Sequence, residues 1–195
     1  GVPRDALCPK PGFVLVIDQT RGDASIEKGA ANAQTFQKML AAARAEHPTA
    51  HIVIKTHPET QLGYRAGHLS AEALDDDMEL LTHAIAPQDL FVAARAVYTV
   101  TSQMGFEAIW AGPRPVVFGQ PFYAGWGLPR DVQPIHRRGP SLTAAPLFAA
   151  SLMLYPTWSD PSPDSSCNWR PVLAPLEAAT RGWRRAHDGG GAGRS

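Results

Sequence analysis

Residues 13–17, Phe-Val-Leu-Val-Ile, form a continuous apolar run of β-favouring side chains directly after Pro11 and Gly12. That is the pattern of a parallel strand buried on both faces. Residues 18–29 are polar. From Ala30 the apolar positions Ala33, Phe36, Met39, Leu40 and Ala43 recur at helical spacing, until His47-Pro48 stops them, because proline disfavours helix in the residue before it. Residues 51–55 predict the next strand, which Thr56, His57 and Pro58 close, so the first third of the chain reads as a βαβ unit. Residues 63–77 are polar and irregular, and the acidic run Asp75-Asp-Asp77 reads as the solvated start of a helix over 78–85. A strand over 96–100, a helix over 103–111 ended by Gly112-Pro113, and a strand over 115–118 continue the alternation.

Ser141 is placed to cap a last helix over 142–154, with Pro146 in its first turn and Pro156 beyond its end. The pattern then weakens. Pro161, Pro163 and the Ser165-Ser166 pair read as linker, 172–185 as a helix, and 189–195 as a low-complexity tail. The expected architecture is α/β, a Rossmann-like parallel sheet flanked by helices. Its domain spans 1–160, as a partial module, and 161–195 forms the linker, short helix and flexible tail.

At 195 residues, 44% hydrophobic and 18% charged, the chain has the composition of one folded globular unit. The formal net charge is zero, which argues against a broad basic face for nucleic acid and confines any anion site to local clusters. Cys8 and Cys167 are the only cysteines, too few for a disulfide framework or a structural zinc site, so a reducing, cytoplasmic setting is expected. No apolar run approaches the roughly 20 residues of a bilayer span. Gly1 in place of Met, with a strand so soon after it, points to a fragment or module of a longer chain.

In a parallel α/β sheet, ligands collect beyond the carboxyl ends of the strands. Four segments sit there: residues 18–25, 55–58, 101–107 and 118–127. Thr101 and Ser102 precede a helix beginning near Gln103, where free backbone N–H groups and the helix dipole attract phosphate; capping of that helix is the alternative use. Glu107 lies just over a turn further in, within reach of ribose hydroxyls or simply on the surface. His57 is held at a strand end by Pro58. Lys55 is either strand-end decoration or a partner for a sugar carboxylate. In the first loop Asp18 and Asp23 flank Arg21 and Gly22; one carboxylate there suits the oxocarbenium-like state of glycosyl transfer, while turn formation is the competing role. Tyr123 and Trp126 either pack on a sugar or base, or anchor their own loop. His136-Arg137-Arg138 is a compact basic cluster beside them.

In order, the segments Asp-Gln-Thr-Arg-Gly-Asp-Ala-Ser-Ile (18–26), Lys-Thr-His-Pro (55–58), Val-Thr-Ser-Gln-Met-Gly-Phe-Glu-Ala (100–108), Gly-Gln-Pro-Phe-Tyr-Ala-Gly-Trp-Gly-Leu (119–128), Arg137-Arg138 and Tyr-Pro-Thr-Trp-Ser-Asp-Pro (155–161) resemble the capsular polysaccharide β-Kdo transferases of the KpsC/LipB type. The resemblance runs from about residue 14 to 161 and implies the donor-binding half of a GT-B glycosyltransferase. It implies transfer of Kdo from CMP-Kdo, with retention, to a lipid-linked glycan at the inner membrane surface, alongside other capsule assembly proteins.

On this resemblance His57, Thr101, Ser102 and Gln103 hold the CMP moiety and Glu107 meets the ribose. Asp23 serves the anomeric carbon with Asp18 in reserve, and Arg21, Lys55, Tyr123, Trp126 and Arg138 line the sugar. No metal or other cofactor is expected beyond the donor substrate. The resemblance also leads one to expect an acceptor-binding half upstream of residue 13 in a complete transferase module. A truncated, non-catalytic nucleotide-sugar-binding or capsule-assembly protein is therefore the competing expectation, and an epimerase acting on a UDP-sugar a weaker one.

Overall fold

The computed structural model describes residues 8–69, 74–81, 83–160, 165–167 and 169–188. The chain divides by packing into two compact units, residues 2–144 and 145–195.

The larger unit is built on six parallel strands: β1 (Val14–Ile17), β2 (Ile52–Lys55), β3 (Met78–Leu81), β4 (Ala96–Thr99), β5 (Val116–Val117) and β6 (Arg130–Asp131), in the order β3-β2-β1-β4-β5-β6. The chain winds outward from β1 in one direction through β2 and β3, then crosses back to start again at β4. β1 and β4 are therefore neighbours at the point where the winding reverses, the place where open α/β sheets leave a crevice. Register is set by Val14 opposite both Ile52 and Ala96.

Alternate strand residues point to opposite faces, and each face has its own core. Val14, Val16, Ile52, Ile54, Tyr98 and Val100 meet α2 (Ala33–Glu46) through Phe36, Met39, Leu40 and Ala43. Phe13, Leu15, Ile17, Val53 and Val97 meet Leu90 and Phe91 of α4 (Pro87–Ala93) and Ala108 of α5 (Gln103–Ala111). This double burial explains why β1 reads as an unbroken apolar run and β2 as Ile-Val-Ile up to Lys55. Asn32 caps α2 through a reciprocal pair with Thr35. Tyr98 donates to Glu46 at 2.8 Å, and Glu46 pairs with Arg130, tying α2 to β4 and β6.

Several expectations are corrected. Residues 78–81 are not a helix but β3, paired with β2 from Met78 opposite Ile52 to Leu81 opposite Lys55; the open edge of β2 outweighs the local helical preference of Met-Glu-Leu-Leu. The polar loop after β1 contains a short helix, α1 (Ala24–Lys28), and the segment after β2 contains α3 (Pro58–Gln61). The helix expected over 142–154 starts later, as α6 (Ala144–Phe148), and widens into a π-helical stretch over Ala149–Leu154, where Tyr155 N–H reaches back to the Ala150 carbonyl.

The Ser165-Ser166 pair expected as linker lies in β8 (Ser165–Cys167), which pairs antiparallel with β7 (Trp158–Asp160) just before it. It is followed by α7 (Trp169–Asp188), longer than expected at both ends. Pro161 and Pro163 and the tail 189–195 lie outside the described residues. Among the described residues no helix is long and apolar enough to cross a membrane.

Candidate functional site

Because β1, β2, β4 and β5 are parallel, the four segments singled out from the sequence emerge at the same edge of the sheet. Hydrogen bonds join 18–25 to 101–107 through Gln19 and Thr101, 101–107 to 118–127 through Ser102 and Tyr123, and 18–25 to 55–58 through the Asp18 N–H and the Lys55 carbonyl. After β1 the chain turns at Gly22, whose φ of +79° suits glycine, and Asp23 then caps α1, its Oδ1 accepting from the Ser25 N–H at 2.8 Å. Asp23 remains partly exposed. Burial pushes its carboxyl upward, but hydrogen bonds from the Ser25 backbone and hydroxyl and the Gln19 amide, with the charge of Arg65, outweigh this and hold it below the ordinary value. It is an ionised, partly exposed carboxylate beside the point where the winding reverses.

Asp18 is placed differently. It is buried, 3% exposed, and its carboxylate accepts from the backbone N–H groups of His68 and Leu69 at 3.1–3.2 Å. Gly67 leaves no room for a side chain beside it, since a Cβ there would strike Asp18 Oδ2. Asp18 thus clamps the 67–69 segment against the end of β1, and desolvation raises its pKa despite those donors.

Gln19, 4% exposed, bridges the reversal point. Its Nε2 lies 3.1 Å from Asp23 Oδ2, 3.3 Å from Ser25 Oγ and 3.0 Å from Thr101 Oγ1, while its Oε1 accepts from the Thr101 N–H at 2.9 Å. Thr101 is buried, with its methyl group against the positions where Gly29 and Gly119 would carry Cβ atoms. Ser102 caps α5, its Oγ accepting from Met104 N–H at 3.3 Å, so of the two roles foreseen for it the capping one is occupied here. Gln103 is exposed and Glu107 half-buried on the second turn.

His57 is exposed and caps α3: its Nδ1 accepts from Glu59 N–H at 3.2 Å, which leaves Nε2 carrying the ring proton. Lys55, before it, is only 7% exposed. Its ammonium donates to the Thr56 carbonyl at 2.9 Å and meets no carboxylate among the described residues, and burial lowers its pKa. A buried cation without a counter-charge favours an anionic partner.

The remaining cations are committed locally. Arg21 is exposed and donates from Nε to the Gly67 carbonyl at 2.9 Å. Arg138 donates to the carbonyls of Pro121 (2.7 Å), Phe122 (3.1 Å) and Ala124, and lies 5.6 Å over the Trp126 ring. Tyr123 offers no face to a ligand: it is fully buried under α5, its hydroxyl donating to the Ser102 carbonyl at 2.6 Å. For Tyr123 the anchoring role prevails over packing on a sugar. Half-buried Trp126 donates to the Phe122 carbonyl at 2.9 Å, so the aromatic loop is braced from within.

The sequence reading did not single out Gln19, Ser25, Arg65 or His68. Arg65 donates to the Arg21 carbonyl at 2.8 Å, and the His68 ring stacks on Phe36 at 4.1 Å with both ring nitrogens buried and without a hydrogen-bond partner among the described residues. Gln19 and Ser25 did lie within the quoted 18–26 segment; what was missing was any local sign that Gln19 meets a residue 82 positions away.

A family model described as capsule polysaccharide biosynthesis protein matches residues 2–157. The capsule polysaccharide modification protein LipA of Neisseria meningitidis serogroup B is 42% identical over 159 residues, which is 78% of this chain and 23% of LipA. The lipopolysaccharide-processing protein LpsZ of Rhizobium meliloti is 33% identical over 169 residues, covering 87% of this chain and 38% of LpsZ. Among solved structures, Thermosulfurimonas dismutans KpsC, beta Kdo 2,4 transferase, matches with a TM-score of 0.82 and 40% identity, covering 90% of this chain and 55% of that one. The KpsC beta Kdo 2,7 transferase of the same organism gives 0.71 and 28%, covering 89% and 55%. The chain therefore spans less than two fifths of these LipA and LpsZ relatives and just over half of either KpsC chain.

Proposed function

Because this chain belongs to the capsule polysaccharide biosynthesis protein family, we propose that it is the donor-binding half of a retaining Kdo transferase that uses CMP-Kdo in building a capsular glycan on a lipid carrier. The observation that carries the reading is the reversal-point crevice, where an ionised carboxylate, Asp23, stands one buried amide away from the N-terminus of α5. That helix end suits the single phosphate of a CMP-sugar. Ser102 and Gln103 meet the phosphate, His57 donates from Nε2 to the nucleotide, and Glu107 accepts from the ribose. Lys55, the buried cation lacking a carboxylate partner, receives the carboxylate of the acidic sugar.

In the transfer, Asp23 attacks the anomeric carbon as CMP departs with the bonding electron pair. An acceptor hydroxyl then displaces Asp23 from the opposite side, freeing it as a carboxylate and passing the hydroxyl proton to water, so the configuration is retained. The acceptor glycolipid is met at the cytoplasmic face of the inner membrane by the portion of the transferase outside this chain. No metal has a part in this reading.

Isothermal titration of the chain with CMP, with UDP as control, tests the reading. Binding selective for CMP, weakened by His57→Ala and nearly unchanged by Asp23→Ala, is the expected result; equal binding of UDP, or the reverse pattern in the two variants, overturns it. A second reading, donor binding without transfer, is favoured by the 55% coverage of the KpsC chains. It predicts CMP binding but no Kdo transfer in the longest natural polypeptide containing these residues.

A further inference from the structure

The amide of Gln19 is shared by two segments that serve different parts of the donor. Its orientation follows from its neighbours. The Thr101 backbone N–H can only donate, so Oε1 must face it, at 2.9 Å. Nε2 is then turned toward three oxygens, Asp23 Oδ2, Ser25 Oγ and Thr101 Oγ1, at 3.0–3.3 Å. Flipping the amide would set its oxygen against a carboxylate and its NH2 against an N–H. Asp23 Oδ1 is already engaged by the Ser25 N–H, so among the described residues Gln19 is the side-chain amide that fixes Oδ2.

We propose that Gln19 is a positioning residue that couples the entrance of α5 to the Asp23 carboxylate, so that a nucleotide phosphate settling at the helix end is registered at the group facing the anomeric carbon. The inference rests on the proposed role of that site. Its geometry stands apart from donor identity: Gln19 is 4% exposed and its partners are fixed by a strand end on one side and a helix start on the other. The charge of Arg65 also acts on Asp23, and that of Asp23 on His68; both residues are left in place in the variants below.

Gln19→Glu is nearly isosteric. It keeps an acceptor for the Thr101 N–H and replaces the donor to Asp23 with a second carboxylate. Gln19→Asn keeps the amide but withdraws it by one methylene. Carbon-13 NMR titration of the Asp23 carboxyl in the 195-residue chain is expected to show its apparent pKa raised by roughly one unit or more in Gln19→Glu, where two carboxylates share the site, and less in Gln19→Asn. In the wild type, saturating CMP shifts the Asp23 carboxyl resonance; in Gln19→Asn that response is lost while CMP still binds.

An Asp23 titration unmoved in both variants, or a CMP response intact in Gln19→Asn, overturns the coupling and leaves the donor reading standing. A raised titration in a protein that binds no CMP supports the hold on Asp23 and overturns both the nucleotide reading and the coupling to it. Should Gln19→Glu fail to fold, Gln19→Asn alone decides the outcome.

Discussion

Gly105, on the first turn of α5, is the position where the fold and the donor edge depend on one missing methyl group. A Cβ there would fall on the Tyr123 hydroxyl, 2.7 Å from Tyr123 Cζ and 2.8 Å from Thr99 Cγ2. Tyr123 has no room to retreat, being fully buried and donating to the Ser102 carbonyl at 2.6 Å. Forcing a methyl into such packing costs about 1–3 kcal/mol. Parting the hydroxyl from its carbonyl costs about 1–3 kcal/mol more if both stay buried. Alanine's better helix propensity returns at most about 1 kcal/mol. Gly105→Ala is therefore expected to destabilise the chain by roughly 2–4 kcal/mol, a large share of the typical 5–15 kcal/mol of a domain.

Urea unfolding followed by tryptophan fluorescence measures this as a lower midpoint at unchanged slope. A double-mutant cycle with Tyr123→Phe isolates the cause: the hydroxyl is gone, the ring clash remains, and the pair should be less destabilised than the sum of the singles by about 1 kcal/mol. Since the displaced carbonyl belongs to the residue capping α5, CMP affinity should fall as well. Additive singles, or an alanine variant as stable as the wild type, would refute the argument that Tyr123 fills the space Gly105 leaves.

Two further outcomes test the buried charges. Burial raises the Asp18 carboxyl above its ordinary value, so the folded chain takes up that proton at a higher pH than the unfolded chain does. The associated stability is complete below the unfolded pKa and is lost as pH rises through the folded one. Relative to Asp18→Asn, the wild type should therefore lose stability as pH rises across that window; a flat difference in urea midpoints would contradict the desolvation of Asp18. Lys55→Met removes a buried cation that meets no carboxylate among the described residues. It should raise stability by about 1 kcal/mol while narrowing, about tenfold, any preference for CMP-Kdo over CMP measured by calorimetry. An unchanged preference would take the sugar carboxylate away from Lys55.

The sequence by itself determined the fold class and the ends of the strands where chemistry collects. β1 and β2 are buried on both faces, so the apolar run 13–17 and the Ile52-Val53-Ile54 triplet sufficed to identify them, and helix α2 announced itself through Phe36, Met39, Leu40 and Ala43 on one stripe. Those signals are local, carried by neighbours within a turn or two. Residues 78–81 failed because four residues hold too little periodicity to separate strand from helix, and what decided them was the edge of β2, 26 positions away in register. Tyr123 could not be assigned to ligand or core until α5 was seen to lie over it at Gly105.

Gln19 looked like any loop amide. Only the adjacency of β1 and β4, created where the winding reverses, brought Thr101 to it and made the pair a bridge to Asp23. Hydrophobic periodicity records which face of an element is buried; it carries no record of which distant element lies across that face. For this protein the elements could be read along the chain, while the partners of their polar side chains came from the order of strands in the sheet.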